Sequence, residues 1–275
     1  MFDILVQMLS YDFIQRAMLV GIMVSLCASL LGVSLVLKRY AMIGDGLSHV
    51  GFGALAIATA LELPQLAVSL PIVIVTAFLL LRLNENSKIN GDAAIAVIST
   101  GSLAVGAIII AKSTGMNTDV CNYLFGSILA MTKSDVYLSV GLSITVIILF
   151  IIFYNKIFAV TFDENFSRAT GTRAGAYNML IALLTAVTIV IGMRLMGSML
   201  ISSFIVVPAL SAMRLCKSFK KVIVCSAVIS LLAFLFGMVI AYAQGLPPGA
   251  SVVVVNIIIF ILSAVIGRVK GRAAS

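Results

Sequence analysis

Apolar runs of about 20 residues, each long enough to cross roughly 30 Å of hydrocarbon as a helix, follow one another along almost the whole of this 275-residue chain. Few folds remain open to such a pattern. In lipid, every backbone N–H and C=O must find its partner within the protein, so runs of this length become helices and the product is a helical bundle. Only 10% of residues are charged and 62% are hydrophobic, against about 25% charged in a soluble domain, so no stretch is left to build a separate soluble unit. The expectation is an all-α, polytopic transmembrane bundle forming one domain over residues 1–275.

Windows of about 19 residues place candidate helices near 13–37, 41–61, 65–83, 92–111, 120–152, 176–193, 195–213, 222–243 and 250–267. The fifth window is too long for one span. Its first part, Val120 to Ala130, reads as a partial or re-entrant piece before a true span from about Val136. Only Gly192 to Arg194 interrupts the sixth and seventh windows, so eight or nine spans are expected. Met1 to Asp12 has no basic n-region of the secretory type, and the mature chain is expected to begin here. Cys27, Cys121, Cys216 and Cys225 are scattered with no ligand spacing and read as small packing residues.

The net charge of +8 is a matter of topology. If the amino terminus lies outside, the inner loops hold Lys38 and Arg39, Arg82 and Lys88, the basic residues from Lys156 to Arg173, those from Arg214 to Lys221, and those from Arg268 to Arg272. That is 14 of the 18 Lys and Arg. Arg16, Lys112, Lys133 and Arg194 fall outside. The positive-inside rule therefore sets the amino terminus outside and the carboxyl terminus in the cytoplasm, and nucleic-acid binding is not called for.

His49 is the only histidine, and Asp45 precedes it by four positions, on the same face of a helix. Counting from Lys38 and Arg39 at the inner interface with a rise of about 1.5 Å per residue, Asp45 lies roughly 9 Å and His49 roughly 15 Å into the bilayer. An ionisable side chain at such depth marks a functional site. Three uses are open: a hydrogen bond that locks the helix, a proton relay built on the histidine, or a transit site for a divalent cation such as zinc or manganese, which accepts imidazole nitrogen and carboxylate oxygen alike. Two ligands cannot fill a coordination shell. That suits passage, because a transit site must also let the ion leave. Asp92, Ser48, Ser99 and Thr100 are candidate helpers, although Asp92 also suits the N-terminal turn of its helix. Gly44, Gly46, Gly51 and Gly53 flank the pair at the spacing of close helix packing.

The longest inner connection, Asn155 to Gly175, is expected to hold a short surface helix. Thr161 and Glu164 have capping-box spacing, Asp163 sits in the first turn, Arg168 lies near the end, and Gly171 suits the C′ position. Phe162, Phe166 and Ala169 share a face, and with two acids and one base in the helix a protein partner is a better target than lipid headgroups. No phosphate-binding loop occurs, so the chain is expected not to be an enzyme, and any ATP hydrolysis belongs to a separate subunit.

Five pieces in one order resemble the membrane permeases of bacterial zinc and manganese ABC importers, the ABC-3 family. They are Lys38-Arg-Tyr-Ala-Met-Ile-Gly-Asp-Gly-Leu-Ser-His49, Tyr123–Leu129, Phe162–Gly171, Met196–Leu210 and Gly245-Leu-Pro-Pro-Gly-Ala-Ser251. The resemblance implies a homodimer around a central pathway, two cytoplasmic ATPase subunits, an extracellular or periplasmic metal-binding protein that delivers the ion, and surrounding membrane lipid. It implies Asp45 and His49 as the intramembrane metal pair, with Asp92 matching the fourth-helix motif, and a coupling helix near 162–170 comprising Thr161, Phe162, Asp163, Glu164, Phe166, Arg168 and Gly171. It implies no permanently bound cofactor, with Zn2+ or Mn2+ as transported substrate. Asp119–Leu129 and Val187–Met199 look closer to the zinc branch, while Ser99 and Thr100 stand where some zinc permeases carry a further histidine, which keeps manganese or iron open. The rival readings are a proton-coupled secondary transporter, for which no internal repeat is found, and an ABC permease for a metal chelate.

Overall fold

The computed structural model describes residues 8, 10–86, 91–113, 124–126, 132–198 and 200–272. Among them there is no strand, and eleven helices follow in order: α1 (Asp12–Leu37), α2 (Ala41–Ala60), α3 (Gln65–Asn86), α4 (Gly91–Ser113), α5 (Lys133–Ile152), α6 (Tyr154–Phe162), α7 (Glu164–Ala169), α8 (Ala174–Met196), α9 (Ile201–Leu215), α10 (Phe219–Gln244) and α11 (Pro248–Arg272). Eight of these, all but α6, α7 and α9, are long and apolar enough to cross a membrane. The all-α, many-span expectation holds, at the lower of the two expected numbers.

The difference between eight and nine lies in α9. At 15 residues and about 1.5 Å per residue it reaches only about 22 Å. The interruption expected at Gly192 to Arg194 is absent, because Arg194 stays inside α8 and its charge is met by Asp135 of α5 at 2.7 Å. The chain breaks instead at Gly197, where φ is +86°, a region that a residue without Cβ enters readily. Of the piece expected before α5, Leu124–Gly126 is described and the rest of Val120 to Ala130 lies outside the described residues. Gly126 packs against the backbone of Leu195 to Gly197, Gly197 against Leu124, and Gly249 against Met196 and Phe125. Three glycines thus let three chain segments meet at the break.

Helices α1, α2 and α8 form the interior, with 67, 72 and 78% of their apolar stretches buried, whereas α4 and α5 lie outside with 17 and 22%. Serine and threonine hydroxyls within the bundle donate back to carbonyls one turn earlier, as in Ser25 to Gly21, Thr185 to Ile181 and Thr188 to Leu184. Such back-bonding satisfies a hydroxyl where water is scarce. Ser230 Oγ also donates to the Ser25 carbonyl at 3.1 Å, tying α10 to α1.

Two turns rest on non-glycine residues in the left-handed region. Arg39 has φ 60° and Glu62 φ 54°. At the end of α1 the N–H of Arg39 donates to Val36 O and that of Tyr40 to Leu35 O; after α2, Glu62 donates to Thr59 O and Leu63 to Ala58 O. Both are Schellman closures that satisfy the last carbonyls of their helices.

Helix α2 runs unbroken, and Gly46, Gly51 and Gly53 serve packing. A Cβ at Gly46 would lie 2.7 Å from Ile95 Cγ2 and one at Gly53 2.9 Å from the Ser102 carbonyl, both on α4, while one at Gly44 would meet nothing within 4 Å. Overpacking of this kind costs about 1–3 kcal/mol. Gly53→Ala is therefore expected to lower the melting temperature in detergent and Gly44→Ala to leave it unchanged, in fluorescence-monitored thermal melts of the two purified variants.

Candidate functional site

Helix α2 carries Asp45 and His49 on one face, one turn apart. His49 Nε2 stands 3.8 Å from Asp45 Oδ2, within ion-pair range but beyond hydrogen-bond length. The carboxylate is held from another helix: Ser202 Oγ, in the first turn of α9, donates to Asp45 Oδ1 at 3.0 Å. One oxygen is therefore anchored and the other faces the imidazole. The Asp45 side chain is 42% exposed and that of His49 16%, and His49 Nδ1 is buried with no hydrogen-bond partner. An acceptor carboxylate and an imidazole nitrogen thus sit side by side on the largely buried helix α2, the carboxylate partly exposed.

Ser48 Oγ is spent on the backbone carbonyl of Asp45 at 2.7 Å, Ser99 is buried in α4, and Thr100 and Asp92 are exposed. Asp92 occupies the first turn of α4, where a negative charge meets the positive end of the helix dipole. Among the described residues no three of His, Cys, Asp and Glu come together as a metal cluster. Ser202 was not among the expected helpers, although Met196–Leu210 was among the pieces that carried the family resemblance. A hydroxyl just past a glycine break was the available signal, and nothing local told which carboxylate it would meet.

The inner connection departs from the expected single helix over 162–170. It folds as α6 and α7, bent at Asp163, whose extended backbone (φ −146°, ψ 96°) makes it the N-cap of α7; its Oδ1 accepts from Phe166 N at 2.8 Å. The Thr161–Glu164 capping box does not form. Thr161 lies in the last turn of α6 and is buried, so its hydroxyl is out of reach of the α7 N-terminus. Gly171 takes the C′ place as expected, with φ +81° and its N–H on Arg168 O, while Thr172 N–H closes on Ser167 O. Phe162 and Phe166 are 59 and 65% exposed, and the Phe162 ring also meets Phe219 of α10 edge-on at 5.7 Å.

Glu164 turns inward. Its Oε2 receives Lys38 Nζ at 3.0 Å and Asn178 Nδ2 at 3.1 Å, and its Oε1 receives Arg168 at 2.6 Å. Partial burial raises its pKa, but the hydrogen bonds from Asn178, Lys38 and Arg168, with the charge of Lys38, outweigh that and bring it from the ordinary 4.5 down to about 2.

Residues 10–267 match the sequence model of the ABC 3 transport family. The chain belongs to that family. Among ABC-3 relatives, the manganese import system permease protein ScaB of Streptococcus gordonii is 27% identical over 92% of this chain and 91% of its own length. The high-affinity zinc uptake system membrane protein ZnuB of Haemophilus influenzae is 26% identical over 92% of this chain and 97% of its own. The structure of PsaBC from Streptococcus pneumoniae in complex with Fab superposes with a TM-score of 0.86 at 27% identity, covering 95% of this chain and 94% of that one. As an ABC-3 chain with eight helices able to cross the bilayer, this is a multi-pass membrane protein.

The Glu164 cluster sets a pH dependence. Its folded pKa lies below its unfolded one, so its stabilisation is complete above about pH 4.5 and is lost as pH falls toward about 2. Glu164→Gln is expected to melt at lower temperature than the parent protein at pH 7, and this gap should narrow below pH 4.5 in melts recorded across the acid range.

Proposed function

We propose that this chain is the permease subunit of an ATP-driven importer that moves a divalent transition-metal ion, zinc first and manganese or iron next, into the cytoplasm. The observation that carries this reading is the Asp45–His49 pair, a hard and a borderline ligand 3.8 Å apart on a largely buried helix, the carboxylate partly exposed. Metal bonds of about 2.0–2.2 Å to nitrogen and oxygen let one ion touch both atoms across that gap. The relatives named for manganese import and zinc uptake support the same cargo class. Their names do not separate the two metals for this chain.

In this reading the amino terminus is outside, a second copy of the chain completes the pathway, and an extracellular or periplasmic metal-binding protein delivers the ion. Asp45 and His49 hold it in transit, water and backbone supply the remaining ligands, and Ser202 keeps the carboxylate turned toward the imidazole. The permease performs no covalent chemistry and keeps no resident cofactor. Cytoplasmic ATPase subunits dock on the exposed Phe162 and Phe166 and drive the cycle through the segment from Thr161 to Gly171. The whole of residues 1–275 acts as one transmembrane domain.

Transport in proteoliposomes tests this directly. With its ATPase subunit and ATP inside, the permease is expected to accumulate Zn2+ or Mn2+ against a gradient, and Asp45→Ala and His49→Ala to abolish uptake while still assembling with the ATPase. Loss of a partner that orients a metal ligand typically costs about 10–100-fold, so Ser202→Ala should fall between the parent and those two. Metal uptake driven by a proton gradient with no ATPase present would sink the proposal in favour of a secondary transporter. Full activity of both Asp45→Ala and His49→Ala would remove the metal site.

A further inference from the structure

The geometry points to Lys38 and Asn178 as positioning residues that carry the motion of the α6–α7 segment into the bundle, Lys38 through the α1–α2 turn that leads to Asp45 and Asn178 through the interior helix α8. This inference rests on the importer reading and says how its driving segment reaches its site.

Lys38 is the C-cap of α1, and its side chain is only 5% exposed. A charged ammonium so enclosed must be paired. Its Nζ donates to the Val160 carbonyl of α6 at 3.1 Å and to Glu164 Oε2 of α7 at 3.0 Å, so one atom grips both arms of the bent inner segment. Asn178 holds the same Glu164 oxygen at 3.1 Å from the second turn of α8. The segment therefore has two faces of different kind: exposed phenylalanines, Phe162 resting edge-on against Phe219 of α10, and one carboxylate turned inward and clamped to α1 and α8.

The turn beyond Lys38 suits a hinge. Arg39 sits at φ 60°, a conformation that a residue with a Cβ adopts only when its surroundings impose it. The constraint here is the Schellman closure on one side and the grip on Lys38 on the other. Asp45 follows about two helical turns later on α2, and its carboxylate is poised between His49 and Ser202 at distances that a small tilt of α2 would change. A push on Phe162 and Phe166 that displaces Glu164 pulls Lys38 with it and turns α2 about Arg39. Helix α8 also packs against α2 and α3, so a shift received through Asn178 reaches the same helix from its other side.

The test uses the permease assembled with its ATPase subunit in proteoliposomes, with Zn2+ and Mn2+ as probe ions, and reads ions imported per ATP hydrolysed. Lys38→Met keeps the length of the side chain and removes the charge; Glu164→Gln keeps an acceptor for Asn178 and weakens the hold on Lys38. Both are expected to retain the ATPase subunit and hydrolyse ATP while ions per ATP fall roughly tenfold, the scale of a typical coupling energy. Lys38→Arg keeps a cation with several donors and is expected to lose less coupling than Lys38→Met. If Lys38→Met does not fold, Glu164→Gln and Lys38→Arg decide the matter alone. Parental ions per ATP in Glu164→Gln overturns the inference, as does loss of coupling in Lys38→Arg as deep as in Glu164→Gln. If the parental complex imports neither ion on ATP, the importer reading fails and takes this inference with it. Parental import alongside unimpaired Lys38→Met and Glu164→Gln import removes this inference alone.

Discussion

Within the hydrocarbon region a polar group is best answered by another part of the protein, because lipid cannot do so. In hydrocarbon an unmet donor, acceptor or charge costs far more than in water, and the fold can be followed as a series of answers. Hydroxyls turn back onto their own helices. Arg194 survives inside α8 because Asp135 reaches it from α5. Lys38 is nearly covered, yet it finds a carbonyl and a carboxylate. Against that background Asp45 and His49 stand out. One carboxylate oxygen is answered by Ser202, but the other faces an imidazole just too far away to bond it. That gap is the place where we propose an ion in transit is held.

The same rule explains why the bundle has an inside and an outside of such different character. Small residues on α2 bring α4 close, so that Gly46 and Gly53 touch it directly, and the helix carrying the pair is surrounded by protein. Interaction energies along a membrane helix come from this close contact, since lipid is as apolar as the side chains it would replace. On its α4 side the helix is packed tightly at Gly46 and Gly53, and α9 brings Ser202 to the pair.

Much of this was legible in the sequence, and the misses share a cause. Hydropathy found the spans, since crossing a membrane is a property of one segment at a time. The four-residue spacing of Asp45 and His49 set them on one face for the same reason. The break in α8 was misplaced because Arg194 reads as an interruption until Asp135, far away in sequence, neutralises it. Ser202 was invisible as a partner of Asp45, 157 residues distant. The capping box was plausible by spacing, but Asp163 competes for the same helix start and lies closer to it. The Arg39 turn carries no glycine to announce it. What depends on neighbours in sequence was readable, and what depends on neighbours in space was not.

The meeting of Gly126, Gly197 and Gly249 has a consequence for how such a chain can change over time. Each lies against the main chain of a segment that holds another of the three, so a side chain at any one displaces the footing of its companions. Backbone exposed at the break between α8 and α9 also has to stay sealed within protein, because lipid would leave it unmet. Substitution there is a joint event: the three positions change together or stay as they are, whereas the exposed stretches of α4 and α5 carry no such mutual constraint.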